Sequence, residues 1–313
     1  MYRIGVDLGG TNIVAGVVDS NKHIISQVSV KTPIGGSYID VVNTIYSAAS
    51  SAVRKIGLDI SDISRIGVAS PGTVNLDNGN VEFAGNLKFH NVPLKRELEQ
   101  IFNTTVTVCN DGDAMTYGEF IEGSGKGLNS FIAVVLGTGV GGAVIVDKKI
   151  ISGTNYAVGE IGHMVIRIDG EQCNCGRKGC FEAYASATAL IRQTKHSMQS
   201  DSDTLMWQIA EGNLDNVTAK TAFDAARLDD VTAKNVVKKY IGYLACGVTN
   251  LINIFQPDAL CIAGGVSNEG DYLLSPLREI VEKERYSKYS VRQTPIYTSV
   301  LGGSAAIIGA AYI

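Results

Sequence analysis

The chain has 313 residues, of which 45% are hydrophobic and 19% are charged, and its formal net charge is −4. This length is enough for two domains, and the composition is ordinary for a globular protein with a large core. The small negative charge and the lack of a basic run argue against nucleic acid or an anionic membrane as a partner. No apolar stretch reaches the roughly 18–20 residues of a membrane span, and no signal peptide precedes the first strand, so we expect a cytoplasmic protein.

The first motif in the chain is Asp7-Leu8-Gly9-Gly10-Thr11, which lies between two short apolar runs. The pattern predicts a strand, a tight glycine turn and a second strand. The two glycines leave no side chain in the way, so a phosphate can approach the backbone N–H groups and the threonine hydroxyl. The aspartate is placed to hold a hydrated Mg²⁺ that carries the phosphates. A plain hairpin with a Gly-Gly turn is the alternative.

The same pattern recurs at 130–152, where an apolar strand, the Gly/Thr turn LGTGVGG, a second apolar strand and a Lys-containing turn end in Ile-Ile-Ser, as at 1–26. Internal similarity at this spacing indicates two related halves. Two such turns, one in each half, indicate a nucleotide clamped in a cleft between two domains. Neither turn matches a G-x-x-x-x-G-K-[ST] phosphate loop or a G-x-G-x-x-G dinucleotide fingerprint.

Apolar spacing and turn residues predict the elements in chain order. In the first half they predict three antiparallel strands over 1–32, a helix over 38–56, strands at 63–69, 81–83 and 106–109, and helices over 93–102 and 114–122. In the second half they predict helices over 181–195 and 231–255, an irregularly helical stretch at 197–230, strands at 259–263 and 296–300, and a small-residue helix over 304–311 that packs back on the first half. We expect a smaller domain of 1–122 plus 298–313 and a larger domain of 123–297, with a hinge at 123–127.

Two polar or glycine-rich pairs follow predicted strands directly. Asn110-Asp111 follows the strand at 106–109, and we expect Asp113 to cap the next helix, which leaves Asp111 in a loop. In open α/β sheets the carboxyl ends of strands are where ligands bind. A turn without a chemical role is the alternative for this pair.

Gly264-Gly265 closes a later strand in a shape suited to a base or ribose near the backbone.

Three of the six cysteines, at 173, 175 and 180, lie within eight residues, separated by Asn174 and by Gly176-Arg177-Lys178-Gly179. With His163 they provide the four N/S ligands of a structural zinc site, which leaves no open position for catalysis. A disulfide is the alternative. We expect zinc to fix the His163 ring and to lock the loops that carry Glu160 and Glu182. The other cysteines, at 109, 246 and 261, are expected to be buried thiols.

These motifs together resemble the ROK family of repressors, uncharacterised reading frames and sugar kinases, within the actin/Hsp70/hexokinase superfamily. The resemblance covers essentially the whole chain and is carried by Asp7-Leu8-Gly9-Gly10-Thr11, Asn110-Asp111, Leu136-Gly137-Thr138-Gly139-Val140-Gly141-Gly142, Glu160-Ile161-Gly162-His163 and CNCGRKGCFE at 173–182. Within the family the chain is most similar to the zinc-containing bacterial glucokinases. The resemblance implies a duplicated, two-domain α/β fold of the ribonuclease H-like type, with a cleft between the domains.

The resemblance also implies a reaction, which is ATP-dependent phosphorylation of a hexose at its 6-hydroxyl, with glucose as the leading candidate. Asp111 would be the general base. The sugar hydroxyls would be bonded by Asn86, Asn110, Asp111, Glu160, His163 and Glu182. The phosphates of Mg²⁺-ATP would be held by Asp7, Gly9, Gly10, Thr11 and Asn12 and by Gly137, Thr138, Gly139, Val140, Gly141 and Gly142. The adenosine would be held by Gly264 and Gly265, and one structural Zn²⁺ by His163, Cys173, Cys175 and Cys180.

Two positions depart from the family pattern. Many members have Lys where this chain has Asn12, and many glucokinases have Trp where it has Phe89, which keeps an apolar wall but leaves the sugar open. The alternatives are therefore a kinase for N-acetylmannosamine, N-acetylglucosamine, mannose, fructose or allose, or a non-catalytic sugar sensor. A sugar-responsive regulator of the same family would carry an N-terminal helix-turn-helix, which we do not expect here because a strand is predicted from Tyr2. The resemblance implies a homodimer or a dimer of dimers.

Overall fold

The computed structural model describes residues 1–313 and contains thirteen β-strands and ten α-helices. The strands are β1 (Tyr2–Leu8), β2 (Asn12–Val18), β3 (Ile24–Lys31), β4 (Ile63–Ser70), β5 (Thr73–Asn75), β6 (Asn80–Ala84), β7 (Phe89–Val92), β8 (Val106–Asn110), β9 (Phe131–Leu136), β10 (Val140–Val146), β11 (Lys149–Ile150), β12 (Ala259–Ala263) and β13 (Ile296–Thr298). The helices are α1 (Tyr38–Arg54), α2 (Leu94–Phe102), α3 (Asp111–Glu122), α4 (Glu182–Ala185), α5 (Ala187–Ser200), α6 (Met206–Ile209), α7 (Thr221–Arg227), α8 (Val231–Phe255), α9 (Asp271–Glu284) and α10 (Ser304–Tyr312).

The chain divides into two compact units. Unit 1 comprises Met1–Ala133, Gly142–Gly159 and Val300–Ile313, and unit 2 comprises Val134–Gly141 and Glu160–Ser299. The domain boundaries expected at 122/123 and 297/298 stay a prediction. None of the helices has both the length and the apolar composition needed to cross a lipid bilayer.

The two halves share one strand order, as the recurring sequence pattern predicts. The first five-stranded sheet has the order β3-β2-β1-β4-β8, and the second has the order β11-β10-β9-β12-β13. In the first sheet β1, β2 and β3 pair antiparallel, whereas β4 pairs parallel with β1 and with β8. In the second sheet β10 and β11 pair antiparallel, and β12 and β13 pair parallel. This is the α/β fold expected from the sequence.

Helix α10 packs on the first sheet, because glycines leave room for its backbone. Gly5 of β1 and Gly67 of β4 are paired neighbours. A Cβ at Gly5 would lie 1.9 Å from the carbonyl oxygen of Ile307, and one at Gly67 would lie 1.6 Å from that of Ala310. Alternation along β1 turns Ile4, Val6 and Leu8 toward the opposite face, where they join the core beneath α1. The prediction that this small-residue helix packs back on the first half is confirmed.

Glu119 of α3 is a fully buried carboxylate that gathers two segments of unit 1. It accepts the backbone N–H and the hydroxyl of Ser124, both at 2.9 Å, and the backbone N–H of Leu301 at 2.8 Å. A buried carboxylate is tolerated when several donors satisfy it. Glu119 therefore holds the turn after α3, which includes the hinge expected at 123–127, and the chain that leads into α10.

Several predicted elements were wrong in detail. Asn110, not Asp113, caps α3, since its Oδ1 accepts the N–H groups of Gly112 at 2.8 Å and Asp113 at 3.2 Å. Asp111 is consequently the first residue of the helix rather than a loop residue. The helix expected over 181–195 is divided at Ser186, whose hydroxyl caps α5 by accepting the N–H of Ala189 at 3.0 Å.

Three elements were not predicted at all. Strands β5 and β7 flank β6 in a three-stranded antiparallel sheet, of which the sequence pattern indicated only the middle strand. Helix α9 occupies a stretch for which the pattern predicted no element. Its buried face has helical spacing, but Pro276 lies inside it and interrupts the pattern of good helix formers.

Candidate active site and metal cluster

The first Gly/Thr turn joins β1 to β2 in unit 1, as predicted. Gly9 donates its N–H to the carbonyl oxygen of Asn12 at 3.0 Å, and Thr32 donates its hydroxyl to the carbonyl oxygen of Gly9 at 2.7 Å. Asp7 lies near the end of β1 just before the turn, and burial raises the pKa of its carboxyl. Thr11 and Asn12 are exposed at the tip. The turn thus presents backbone groups and a hydroxyl to solvent beside a carboxylate.

Asn86, expected to bind the sugar, lies against this turn. Its Nδ2 atom would be 3.1 Å from a Cβ at Gly10, which is tighter than an ordinary contact. A larger residue at position 10 would require the amide to move slightly away from the turn. An expected sugar residue and an expected phosphate residue are direct neighbours in unit 1.

Asp111, the expected general base, begins α3 directly after β8. Its Oδ1 accepts the N–H of Gly112 at 2.9 Å, and the Asn110 amide beside it donates to the carbonyl oxygen of Gly72 at 2.9 Å. A Cβ at Gly112 would lie 3.1 Å from the backbone nitrogen of Gly142, the last residue of the second Gly/Thr turn. The expected base therefore lies next in sequence to a residue that touches the end of that turn.

The rest of the second turn belongs to unit 2, where side chains and backbone groups of the α4–α5 region hold it. The carbonyl oxygen of Gly137 accepts the N–H of Ala187 at 2.9 Å, and that of Thr138 accepts the hydroxyl of Thr188 at 2.8 Å. Glu182 accepts the N–H of Val140 through Oε2 at 3.0 Å. Hydrogen bonds with the α4–α5 region thus hold the turn in place without a bound ligand.

Gly264, expected to lie near the adenosine, closes β12 in a conformation that favours glycine, with φ of +85°. A Cβ there would lie 2.4 Å from the carbonyl oxygen of Leu136, which precedes the second turn. Gly264 and the second turn are consequently adjacent in unit 2, whereas Gly265 has open space at its Cβ position.

The four expected zinc ligands, His163, Cys173, Cys175 and Cys180, come together in unit 2, with their ligand atoms all within 4.8 Å of one another. Sγ of Cys175 and Cys180 are 3.7 Å apart, and Sγ of Cys173 is 3.6 Å from Nδ1 of His163. Two thiolates on one tetrahedral zinc, each at about 2.3 Å, are about 3.7 Å apart. The donor set and its spacing therefore fit zinc, and all six cysteines are free thiols, which contradicts the disulfide alternative.

The three thiols of this cluster have different proton affinities. Burial raises the pKa of Cys173 to about 12 and also raises the pKa of Cys180, whereas a backbone hydrogen bond from Arg177 lowers the pKa of Cys175. A bound cation is required to hold all three as thiolates near neutral pH. Outside the cluster Cys109 and Cys261 are buried as expected, but Cys246 is only partly buried.

The metal cluster also contacts the second turn through the loop that carries His163. Nε2 of His163 lies 3.8 Å from Oε2 of Glu160, in ion-pair range, while its Nδ1 faces Cys173. The ring nitrogen that does not face the thiols thus has a carboxylate neighbour, as the imidazole of a metal-binding histidine generally does. The same loop packs on the second turn, since a Cβ at Gly162 would lie 2.1 Å from the carbonyl oxygen of Val140.

The structure distributes the expected site residues between the two units. Unit 1 contains Asp7, Gly9, Gly10, Thr11, Asn12, Asn86, Asn110, Asp111 and Gly142, and unit 2 contains Gly137, Thr138, Gly139, Val140, Gly141, Glu160, His163, Glu182, Gly264, Gly265 and the three cysteines of the cluster. Phe89, expected as an apolar wall, is 3% exposed in the core of unit 1. Sequence reasoning missed Thr32 and Thr188, which hold the two turns, because a lone threonine carries no recognisable pattern.

Comparison with known proteins identifies the family, since the sequence matches the ROK family over residues 3–313. The chain belongs to the ROK family. It is 35% identical to the glucokinase of Thermotoga maritima over 311 residues, which cover 99% of this chain and 96% of that protein. It is 34% identical to the glucokinase of Streptomyces coelicolor over 310 residues, which cover 98% of this chain and 96% of that protein.

A solved structure shows the same fold. The ROK family glucokinase from Streptomyces griseus, crystallised in complex with glucose and AMPPNP, aligns with a TM-score of 0.86 and 33% sequence identity. The alignment covers 99% of this chain and 98% of that one. The actin- and hexokinase-like two-domain fold expected from the sequence is thereby confirmed.

Proposed function

We propose that this ROK family protein transfers the γ-phosphoryl group of ATP to the 6-hydroxyl of glucose. One observation carries the proposal: in unit 1, residues expected at the sugar adjoin both Gly/Thr turns. Asn86 approaches Gly10, and the segment starting at Asp111 approaches Gly142. Phosphoryl transfer needs an acceptor alcohol, a base and the phosphates close together, and the proximity of these residues within unit 1 supports the proposal. The glucokinases of similar sequence and the S. griseus complex support the choice of glucose and of ATP.

Asp111 acts as the general base. Its carboxylate takes the proton of the sugar hydroxyl as the hydroxyl oxygen bonds to the γ-phosphorus and the bond to the bridging oxygen breaks, which releases ADP. A carboxylate in this role contributes about 10²–10⁴-fold to the rate. Its position as the first residue of α3, with Oδ1 accepting the N–H of Gly112, keeps the charged form hydrogen-bonded.

The sugar is recognised by hydrogen bonds between its hydroxyl groups and the side chains of Asn86, Asn110, Glu160, His163 and Glu182, with the two carboxylates as acceptors. Carboxylates and amides suit a neutral polyol, and a site built around particular hydroxyls rejects analogues that lack them. The phosphates are held by backbone groups of the two turns, 9–12 and 137–142, and the adenosine lies beside Gly264 and Gly265. Asp7 would hold the hydrated Mg²⁺ that accompanies ATP, and this ion would neutralise charge on the phosphates.

The His163, Cys173, Cys175 and Cys180 cluster would hold one structural Zn²⁺. Four protein ligands would leave no position for a catalytic water, so the ion would supply rigidity. His163 and the neighbouring Glu160 would thereby be kept in place for the sugar. We further propose a cytoplasmic protein with domains at 1–122 plus 298–313 and 123–297, acting as a homodimer or a dimer of dimers, without nucleic-acid or membrane partners.

The proposal is tested by measuring ADP release against a panel of sugars. The panel contains glucose, mannose, fructose, allose, N-acetylglucosamine and N-acetylmannosamine, each at a series of concentrations. We expect the highest kcat/KM with glucose and product phosphorylated at the 6-position. A higher kcat/KM with another sugar would assign the enzyme to that sugar, and saturable sugar binding without ADP release would assign it to a sensor.

A further inference from the structure

Arg285 caps the C-terminal end of helix α9, and one nitrogen of its side chain is buried without a partner. The residue is 9% exposed, and its Nε atom is buried without a hydrogen-bond acceptor. The neighbouring arginines do have carboxylates, since Arg278 is 3.8 Å from Asp271 and Arg292 is 3.5 Å from Asp258. Arginine stays protonated in proteins, and a charge withdrawn from water requires compensation. Arg285, unlike these two arginines, therefore has no paired carboxylate.

Arg285 lines a cavity of about 420 Å³ together with a second arginine. Arg278 lies seven residues earlier on α9, which places both side chains on one face of the helix. Its Nε and Nη2 donate to the carbonyl oxygen of Ile296 at 3.0 and 2.6 Å. One guanidinium is thus held in place by the backbone, and the other remains available to a ligand.

The opposite wall is fixed by its own hydrogen bonds. Gln293 donates its amide N–H groups to the carbonyl oxygens of Ser287 at 2.7 Å and Ser290 at 2.6 Å. The hydroxyl of Thr294 donates to the carbonyl oxygen of Pro257 at 2.8 Å. Because these groups are already satisfied, the arginines are what distinguishes the cavity chemically.

Two features oppose an anion in this cavity. Glu282 contributes an exposed carboxylate to its lining, and the carbonyl groups at the end of α9 carry partial negative charge. Solvent screens the exposed carboxylate, and the capping position of Arg285 already offsets the helix end. Since Asp271 already pairs with Arg278 and water screens Glu282, the positive charge without a paired carboxylate in the cavity is that of Arg285.

The ligand class follows from the guanidinium group and the cavity volume. An arginine fork pairs with a phosphate or carboxylate through two parallel hydrogen bonds. The volume lies within the range of about 300–1,000 Å³ for small-molecule sites and exceeds what one inorganic phosphate fills. We propose that Arg285 and Arg278 form a binding site for a small phosphate monoester.

This site is separate from the proposed nucleotide residues of the same unit. Strands β12 and β13 run parallel, with Leu260 opposite Ile296. Gly264 follows the carboxyl end of β12, whereas Gln293 and Thr294 precede the amino end of β13. A strand of this length spans about 17 Å at roughly 3.3 Å per residue. The phosphate monoester would therefore occupy the opposite end of the strand pair from the adenosine.

The test is calorimetric titration of the full-length protein with glycerol phosphate and, separately, with inorganic phosphate. Glucose and AMPPNP are kept saturating so that the proposed active site is filled, and chloride replaces phosphate at equal ionic strength as the blank. We expect saturable binding, weakened at least tenfold by Arg285→Gln. Arg292→Gln, at an exposed arginine nearby, should bind as the wild type does.

Equal affinity of Arg285→Gln and wild type, or no saturable binding by the wild type, would overturn the site. If Arg285→Gln does not fold, as judged by circular dichroism, binding is measured with Arg285→Lys instead. This variant keeps the positive charge but lacks the guanidinium group that forms two parallel hydrogen bonds. Weaker binding by that variant supports the site, and unchanged binding overturns it. Tighter binding of the monoester than of inorganic phosphate supports an organic ligand, whereas equal binding overturns the choice of a monoester. The readout is binding rather than turnover, so it is independent of the proposed kinase activity.

Discussion

The carboxylate of Glu182 joins the second Gly/Thr turn to the metal cluster. Its Oε2 accepts the backbone N–H of Val140 at 3.0 Å, and its Oε1 lies 3.7 Å from Sγ of Cys173. A Cβ at Gly139 would lie 2.2 Å from Oε2, so a larger residue there would displace this carboxylate. A residue expected to read the sugar therefore also braces an expected phosphate turn.

A second contact that holds this turn is the hydrogen bond from Thr188 to Thr138, and it can be removed without changing a proposed sugar-binding residue. Thr188→Val removes the hydroxyl that donates to the carbonyl oxygen of Thr138 at 2.8 Å. One such bond is worth about 0.5–1.5 kcal/mol, so we expect the KM for ATP to rise about 2- to 10-fold with the KM for glucose unchanged. Steady-state kinetics with each substrate varied in turn measures both. Thr194→Val, which removes a hydroxyl bonded within the same helix to Leu190, is the matched control.

Loss of one cluster ligand should remove metal and activity together. Cys175→Ser is expected to lower bound zinc below one equivalent and to abolish sugar phosphorylation, because Glu160, His163 and Glu182 lose their fixed positions. Metal analysis and the ADP-release assay measure the two effects. Cys246→Ser, outside the cluster, should retain both. Full activity of zinc-free protein would separate the cluster from the site.

Zinc loading should release protons. Without a metal, burial raises the pKa of Cys173 to about 12, so this thiol is protonated at pH 7 and must lose its proton to bind. Titration of zinc into metal-free protein in weak buffer should acidify the solution. A pH that stays constant through loading would mean that Cys173 is not a ligand.

Asp111→Asn tests the general base. The variant should keep its fold and its affinity for glucose, while kcat falls by about 10²–10⁴-fold. Calorimetry for glucose binding and the ADP-release assay report the two properties separately. Asp113→Asn, two residues along the same helix, changes the charge equally and should reduce kcat far less. Near-normal turnover of Asp111→Asn would remove this residue from the role.

Asp7 should make Mg²⁺ use depend on pH. Burial raises the pKa of its carboxyl, so its contribution to stability is present below the ordinary pKa and is lost as pH rises through the raised native pKa. The metal requires the charged form, so apparent Mg²⁺ affinity should increase with pH across the same window. Asp7→Asn should lower Mg²⁺-dependent turnover about 10–100-fold without loss of unfolding free energy at pH 7. Asp169→Asn, at an exposed loop aspartate, is the control for both measurements.

Two glycine substitutions should have opposite effects on stability. A Cβ at Gly309 of α10 would lie 1.7 Å from the carbonyl oxygen of Ala114, whereas one at Gly242 of α8 would meet nothing within 4 Å. Gly309→Ala should therefore lower the unfolding free energy by about 1–3 kcal/mol or more. Gly242→Ala should raise it by up to about 1 kcal/mol. Chemical denaturation measures both, and destabilisation of the same size in both variants would contradict this packing.

Local patterns predicted the parts of the fold that depend on local chemistry. The hairpin turns at Gly9-Gly10 and 137–142 follow from glycine between apolar runs, and the 25-residue helix α8 was predicted at its observed limits because its apolar stripe is continuous. The cysteine cluster was found because three thiols so close together in the chain are typical of a metal site. Residues that are close together in the sequence are enough to determine these features.

The parts that were missed depend on distant partners. Asn110 and Asp113 are both acceptable helix caps, and the difference was decided by Gly72, whose carbonyl oxygen receives the Asn110 amide. Strands β5 and β7 are short, and they are stabilised by pairing with β6 rather than by their own sequences. The contact of Thr188 with Thr138 and the position of Arg285 in a cavity depend on the tertiary structure, so the sequence pattern did not indicate a role for either residue.

Helix α10 is made some three hundred residues after strand β1, yet it covers the glycines of that strand. At about 5–20 residues per second, a ribosome needs roughly 15–60 seconds for that interval. Throughout translation the sheet of unit 1 is therefore left with one uncovered face, on which chaperones or premature aggregation can act. Expression of a fragment ending before Ser304 should yield insoluble protein, even though every proposed catalytic side chain would be present.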